Sequence, residues 1–143
     1  MRQLLDTAMH LLSGSVVVAG ATCFIGFTVL VFFNASVAER FLSGFASSAK
    51  THYIEQILRI LVGGALVIYS SSMWQAGLFW LIGWIIVASS VGLLLIPWQW
   101  HHRLAEKLLP VLIQHMRLYA IGSLAFGIFI LYAALAPHLK SAA

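Results

Sequence analysis

Histidine is the residue of this sequence with the widest chemistry, because its imidazole can ligate a metal ion or a haem and can carry protons. A haem or a chlorophyll-type pigment held between helices needs axial histidines well inside those helices. All six histidines lie instead near the predicted ends of helices or in the connections. Four of them share one side, where a surface metal site is one interpretation and solvated interfacial histidines beside a basic loop are the favoured one. The six are His10, His52, His101, His102, His115 and His138, and the four are His52, His101, His102 and His115.

Acidic and nucleophilic side chains offer no catalytic arrangement. A small proton-coupled exporter needs a buried carboxylate within a span, yet all four acidic residues lie in flanks or connections. Cys23 lies in the middle of a predicted span, where no His, Asp or Glu shares its depth to act as a base. We therefore expect a protein that is not an enzyme and has no resident cofactor, while a bound lipid, quinone or pigment is compatible with the pattern.

The composition predicts where such a chain resides. Of its 143 residues, 62% are hydrophobic and 8% are charged, and the mean hydropathy is +0.97. Soluble domains are about 45–50% apolar and about 25% charged. Eight basic and four acidic residues cannot cover a soluble globule of this size, which excludes a cytosolic enzyme, a nucleic-acid-binding module and a disordered tail. We predict an integral membrane protein whose surroundings are the lipid bilayer and other membrane subunits.

Long gaps between the charges predict the membrane spans. No Asp, Glu, Lys or Arg occurs from Thr7 to Ala38, from Ile60 to His102 or from Leu118 to Leu139. About 20 apolar residues cross the hydrocarbon core, so each outer gap holds one span and the middle gap holds two, joined by a tight turn. The sequence thus predicts an all-α membrane protein, a single domain over 1–143 with four transmembrane helices in two helical hairpins. The predicted spans are 14–35, 55–72, 76–96 and 111–135.

The flanks of these spans carry further signals. A cleavable signal peptide is the competing interpretation of the N-terminus, but the apolar run is long enough to span, which favours a retained helix. Residues 2–12 place their apolar side chains on one face, so we expect this segment to lie in the headgroup layer. Pro97 is expected to end the third span and Pro110 to begin the fourth, because a helix tolerates proline in its first turn.

The two long connections have amphipathic patterns and an excess of basic residues. Lys/Arg-rich loops stay cytoplasmic, so we expect both connections in the cytoplasm and both termini in the periplasm. The apolar faces of the connections are Val37, Phe41 and Phe45 in the first, and Trp98, Trp100, Leu104 and Leu108 in the second. The basic residues on this side are Arg40, Lys50, Arg59, Arg103, Lys107 and Arg117.

Small residues four apart predict close helix packing, because such faces let helix backbones approach each other in lipid. The pattern fits packing inside the bundle and packing against partner helices equally well. Ser15, Ala19 and Cys23 form one such series in the first span. The predicted packing residues are Gly26, Gly63, Gly64, Ala88, Gly92, Ser123 and Gly127.

The stretch Ile57-Leu58-Arg59, continuing through Gly63-Gly64 to Leu66, resembles the second helix of the small YjeT-like bacterial inner-membrane proteins. The resemblance covers about fifteen residues and implies a bacterial inner-membrane setting, with no catalytic role to carry over. The two halves of the chain also look related, each with a span, a basic connection and a span that opens with Arg. A duplicated hairpin is one interpretation, and the common layout of four-span proteins is the other.

Two functions remain compatible with these features. The first is a non-catalytic accessory subunit or assembly factor of a larger bacterial inner-membrane complex, respiratory or photosynthetic. The second is a binder or carrier of an apolar ligand such as a quinone, lipid or pigment. In the second case Arg59 and Arg117 would hold the head of the ligand, whereas ordinary anchoring at the headgroups is the competing interpretation of both arginines.

Overall fold

The computed structural model describes residues 1–44 and 48–141, and this part of the chain folds entirely into helices. Four of these helices are long and apolar enough to cross a membrane, in agreement with the predicted all-α, four-span fold. Two shorter helices connect them at one end, and a 3₁₀ turn connects them at the other. The α-helices are α1 Arg2–Phe33, α2 Ala35–Gly44, α3 Ala49–Tyr69, α4 Ala76–Leu95, α5 Trp98–Gln114 and α6 Met116–Ser141, and the 3₁₀ turn is Ser70–Ser72.

The first helix is longer than the sequence predicts. Residues 2–12 do not form a separate segment but continue into the span, so that α1 has 32 residues and is about 48 Å long at 1.5 Å per residue. The polar side chains along it do not interrupt the helix, because the hydroxyls of Thr7 and Ser15 donate to the carbonyl oxygens four residues earlier. Asn34 then ends the helix, and its Oδ1 accepts from the backbone N–H of Val37 at the start of α2.

The prediction that Pro110 begins the last span is wrong. Pro110 lies inside α5, and α6 begins at Met116. The break falls at His115, whose backbone N–H and imidazole Nδ1 both lie within hydrogen-bond distance of the carbonyl oxygen of Val111, at 3.1 and 3.0 Å. A side chain that bonds to its own backbone offers the chain an alternative to the helical ladder. The helix continues through Pro110, although a proline removes one backbone donor and its ring crowds the carbonyl oxygen four residues earlier.

The four spanning helices pack mainly in two pairs. The most extensive contacts are between α1 and α6 and between α3 and α4. Contacts between α1 and α3 join these two pairs. Glycines allow the closest approaches: a Cβ on Gly127 would lie 2.9 Å from the carbonyl oxygen of Ala21, and one on Gly63 would lie 2.9 Å from that of Gly83. The central core contains Val17, Ala21, Ala65, Leu66, Met73, Phe79, Ile130, Ala133 and Ala134.

The two ends of the bundle are built differently. At one end, α2 and α5 contact each other, and α5 also contacts α3, α4 and α6 without burying any of its own residues. At the other end, the 3₁₀ turn meets α1 where Ser72 Oγ lies 3.1 Å from His10 Nε2. Both connecting helices therefore share one end, which we call the connection end. Phe45, predicted on the apolar face of the first connection, lies outside the described residues.

Candidate functional site

A group of polar side chains, most of them buried or partly buried, lies at the connection end, where α3 begins. Ser48 and Thr51 form a reciprocal capping box that starts α3 at Ala49, six residues before the predicted span. The helix therefore carries His52 and Gln56 into the bundle, and both side chains are 0% exposed. We call the following residues the polar cluster: His52, Glu55, Gln56 and Arg59 of α3, Ser89 and Ser90 of α4, and His101 of α5.

Arg59 ties the polar cluster to α4. Its Nε donates to Ser90 Oγ at 3.1 Å and its Nη2 donates to Ser89 Oγ at 3.2 Å. Both serine hydroxyls donate in turn to the carbonyl oxygen of Ile86, so their oxygens are oriented to accept from the guanidinium. Arg59 Nη1 also lies 4.0 Å from Glu55 Oε1. The predicted ligand anchor Arg59 is thus a fixed part of this site.

Several buried atoms of the polar cluster have no hydrogen-bond partner within the described part of the chain. They belong to four residues that lie together, and the His52 and His101 ring centroids are 4.9 Å apart. A buried polar group without a partner loses its hydration and gains nothing in return, so native proteins contain few of them. Such atoms need partners from water or from a bound polar group. The atoms are His52 Nδ1 and Nε2, Glu55 Oε2, Gln56 Nε2 and Oε1, and His101 Nδ1.

The charge of the polar cluster is close to balanced. Burial lowers the pKa of His101, and nearby His52 and Arg59 lower it further, while the Glu55 carboxylate opposes this shift. His101 is therefore a neutral imidazole near pH 7. The charges of Glu55 and Arg59 offset each other, so the site suits an uncharged group better than an anion or a cation.

Two apolar cavities flank His101. The first, which we call the Glu55 cavity, has a volume of about 380 Å³ and is lined by Glu55 and His101 together with apolar residues of α5 and Tyr119 of α6. The second, which we call the Arg103 cavity, has a volume of about 390 Å³ and contains Arg103 and Lys107. One cavity thus places Glu55 and His101 of the polar cluster beside apolar space, and the other places His101 beside two cations.

The remaining predicted residues lie elsewhere. Arg117 is exposed at the start of α6 and lines a separate cavity with Glu39, so the two predicted anchors do not converge. His102 Nε2 lies 3.3 Å from Glu106 Oε1, and His10 is at the opposite end of the bundle. Among the described residues no three His, Cys, Asp or Glu side chains are placed to hold a metal ion.

The predicted packing residues divide into two groups. Ser123, Gly127 and Gly63 lie at contacts between helices of the bundle, where Ser123 Oγ donates to the carbonyl oxygen of Phe24 at 2.9 Å. The other group does not mark close contacts within the described structure: Ala88 is exposed, and a Cβ on Gly26, Gly64 or Gly92 would have no neighbour within 4 Å.

Glu55, Gln56 and the serine pair of α4 are the site residues that the sequence interpretation missed. Their signal was present, because His52, Gln56 and Arg59 are spaced by four and three residues and so share one face of a helix. Ser89-Ser90 is likewise the one polar pair between Gln75 and Gln99. Comparison with known proteins finds no family model, no curated protein and no solved structure that matches this chain. The resemblance of α3 to the YjeT-like proteins stays a prediction.

Proposed function

We propose that this multi-span membrane protein binds the uncharged polar head of an apolar ligand at the polar cluster and performs no chemistry of its own. The observation that carries the proposal is the set of unpartnered buried atoms on His52, Glu55, Gln56 and His101, beside an apolar cavity that Glu55 and His101 line. A head with both acceptors and donors pairs with this set, since the amide and imidazole groups can donate and the carboxylate accepts.

The position of the polar cluster suits such a ligand. The cluster lies at the connection end, where the amphipathic helices α2 and α5 cover the bundle. Amphipathic helices rest at the boundary between headgroups and hydrocarbon. A ligand whose head enters the polar cluster therefore keeps its apolar part at the depth of the lipid tails, and it need not leave the membrane to bind.

A substitution at Gln56 separates a ligand site from a purely structural role. Gln56→Leu removes two unpartnered polar atoms and keeps a side chain of similar size, so we expect an unchanged or higher stability in detergent. The same variant is expected to lose the small molecules that co-extract with the wild type in a mild detergent, as identified by mass spectrometry. Gln99→Leu, at an exposed position of α5, is the matched control. Equal retention of small molecules by both variants would contradict the proposal.

A second candidate is an accessory subunit or assembly factor of a larger bacterial inner-membrane complex. Its support is that small residues four apart remain uncovered on two spans. Ser15, Ala19 and Cys23 of α1 are exposed, and Ala88 and Gly92 of α4 have open space beside them. These faces are available to partner helices, whose association in lipid depends on close van der Waals contact.

Gly92→Leu tests this candidate, because nothing within the described bundle opposes a side chain at that position. For an accessory subunit we expect normal abundance and release from the complex, measured by native gel mobility after mild extraction. Gly127→Leu is the comparison, since it disturbs the bundle itself and lowers the abundance of the protein. A wild-type protein that migrates as a lone chain of 15.7 kDa in every mild detergent would contradict the subunit role.

A further inference from the structure

We propose that the ligand is an isoprenoid quinone, whose ring occupies the Glu55 cavity and whose single long tail lies in a groove along α1, an inference that rests on the function proposed above. The groove, which we call the α1 groove, has a volume of about 650 Å³. It runs past α1 residues from Gly20 to Leu30, a distance of about 15 Å along the helix axis. Its direction is from the connection end toward the middle of the bundle.

The α1 groove and the Glu55 cavity are neighbours. Leu42 of α2 lines both of them. On α6, Tyr119 lines the Glu55 cavity and Ser123 lines the α1 groove, one helical turn apart on the same face. A head held beside Glu55 and His101 therefore directs an attached tail past Leu42 and into the groove.

The walls of the α1 groove suit hydrocarbon. Apart from Ser123 and Cys23, the residues that line it are glycines or have aliphatic or aromatic side chains. The Ser123 hydroxyl already donates to the carbonyl oxygen of Phe24, so it does not present a free donor to the groove. Gly26 lines this groove, and a Cβ there would have no protein neighbour within 4 Å. The missing side chain at this position leaves the width that a branched tail occupies.

The charges of the polar cluster favour a quinone over a phospholipid. A quinone carries two carbonyl acceptors and its reduced form carries two hydroxyl donors, so one head matches the His101 imidazole or the Glu55 carboxylate that line the cavity. A phosphate beside Glu55 would meet a like charge. Arg59 would not offset it freely, because its Nε and Nη2 already donate to Ser90 and Ser89. The cations Arg103 and Lys107 line the other cavity, which is where a phosphate would bind instead.

The experiment compares two quinones that share a head and differ in their tail. The full-length protein is placed in lipid nanodiscs, and binding of decylubiquinone and of its tail-less methoxy-methyl benzoquinone head is measured against empty nanodiscs. Gly26→Leu fills the α1 groove at a position without internal neighbours. Gly122→Leu is the matched control, since it adds the same side chain at an exposed glycine that also has no neighbour within 4 Å of its Cβ.

We expect Gly26→Leu to weaken decylubiquinone binding by about tenfold, the discrimination that a few carbon atoms produce in an apolar pocket. Gly122→Leu should leave this binding unchanged, and the tail-less head should bind all three proteins alike. Equal binding of decylubiquinone by Gly26→Leu and wild type, or displacement of it by phosphatidylglycerol, would overturn the quinone inference while the head site stands. If the wild type binds neither of the two quinones, this inference is overturned. Co-extraction of a different molecule that Gln56→Leu fails to retain would still support the proposed head site.

Discussion

The glycines of α6 offer a test of the α1–α6 contact in which one substitution has opposite effects at two positions. An alanine Cβ at position 127 would lie 2.9 Å from the carbonyl oxygen of Ala21 and 2.9 Å from Ile25 Cγ1, so α1 and α6 must separate by several tenths of an ångström. The Cβ of an alanine at position 122 would have no neighbour within 4 Å. Gly127→Ala is therefore expected to destabilise the protein and Gly122→Ala to stabilise it.

The magnitude follows from three contributions. Overpacking a close contact costs about 1–3 kcal/mol, and the helix preference of alanine over glycine returns about 1 kcal/mol. Two hydrogen bonds cross the same contact, from Thr28 Oγ1 to the carbonyl oxygen of Ala120 at 2.7 Å and from Ser123 Oγ to that of Phe24 at 2.9 Å. Such interhelical bonds contribute about 0.6 kcal/mol each in membranes. We expect Gly127→Ala to lower the free energy of unfolding by about 1–3 kcal/mol, and Gly122→Ala to raise it by up to about 1 kcal/mol.

The measurement is reversible unfolding of both variants and the wild type by sodium dodecyl sulfate in mixed micelles, followed by tryptophan fluorescence. Both variants add a single methyl group to the same helix, so differences in insertion or detergent binding cancel between them. A Gly127→Ala protein as stable as Gly122→Ala would show that α1 and α6 do not meet at Ala21 and Gly127, and the pairing of the helices would have to be revised.

Three further predictions concern the polar cluster and the orientation of the chain. Burial lowers the pKa of His101 in the folded state, so the stability that its neutral form contributes is present above the ordinary histidine pKa of 6.5 and is lost as the pH falls below that value. We expect His101→Phe to flatten the dependence of the unfolding midpoint on pH between pH 7 and pH 5. An unchanged dependence would contradict this prediction. Arg59→Gln should reduce ligand retention in mild detergent, because it removes the guanidinium that bonds to the two serine hydroxyls of α4. Arg117→Gln should leave ligand retention unchanged. Equal losses of ligand from the two variants would refute the assignment of Arg59 alone to the site. A reporter that is active only outside the cytoplasm should give a signal when it is fused after Ala143 and none when it is inserted after Gly44. The reason is that six of the eight basic residues lie toward the connection end, which we expect in the cytoplasm. The reverse pattern of signals would contradict this orientation.

The sequence predicts the number of spans well, because the thickness of the bilayer sets a span length of about 20 residues and the hydrocarbon core excludes charged side chains. It predicts boundaries less well. The start of α3 depends on the reciprocal bonds of Ser48 and Thr51, and the break before α6 depends on His115 rather than on the more conspicuous Pro110. Both are local competitions for hydrogen bonds that a charge pattern does not record.

The pairing of the helices and the position of the polar cluster could not be predicted from the sequence, for a different reason. The series of small residues in the sequence does not distinguish Gly127, which contacts α1, from Gly92, where an added Cβ would have no neighbour within 4 Å among the described residues. Gly83, which belongs to no such series, makes one of the closest approaches to α3. The face formed by His52, Gln56 and Arg59 is readable from spacing alone, but its burial follows from the way α4 and α5 pack on it.

The length of α1 has a consequence for the bilayer around the protein. A helix of about 48 Å exceeds a hydrocarbon core of about 30 Å, and its first eight residues, 2–9, are all exposed. Leucines at positions 4 and 5 make this overhang apolar, while Arg2 and Asp6 keep it at the water boundary. Hydrophobic mismatch of this kind is relieved by helix tilt or by local thickening of the lipid, at a fraction of a kcal/mol per ångström. We therefore expect the tilt of α1 to depend on the thickness of the membrane.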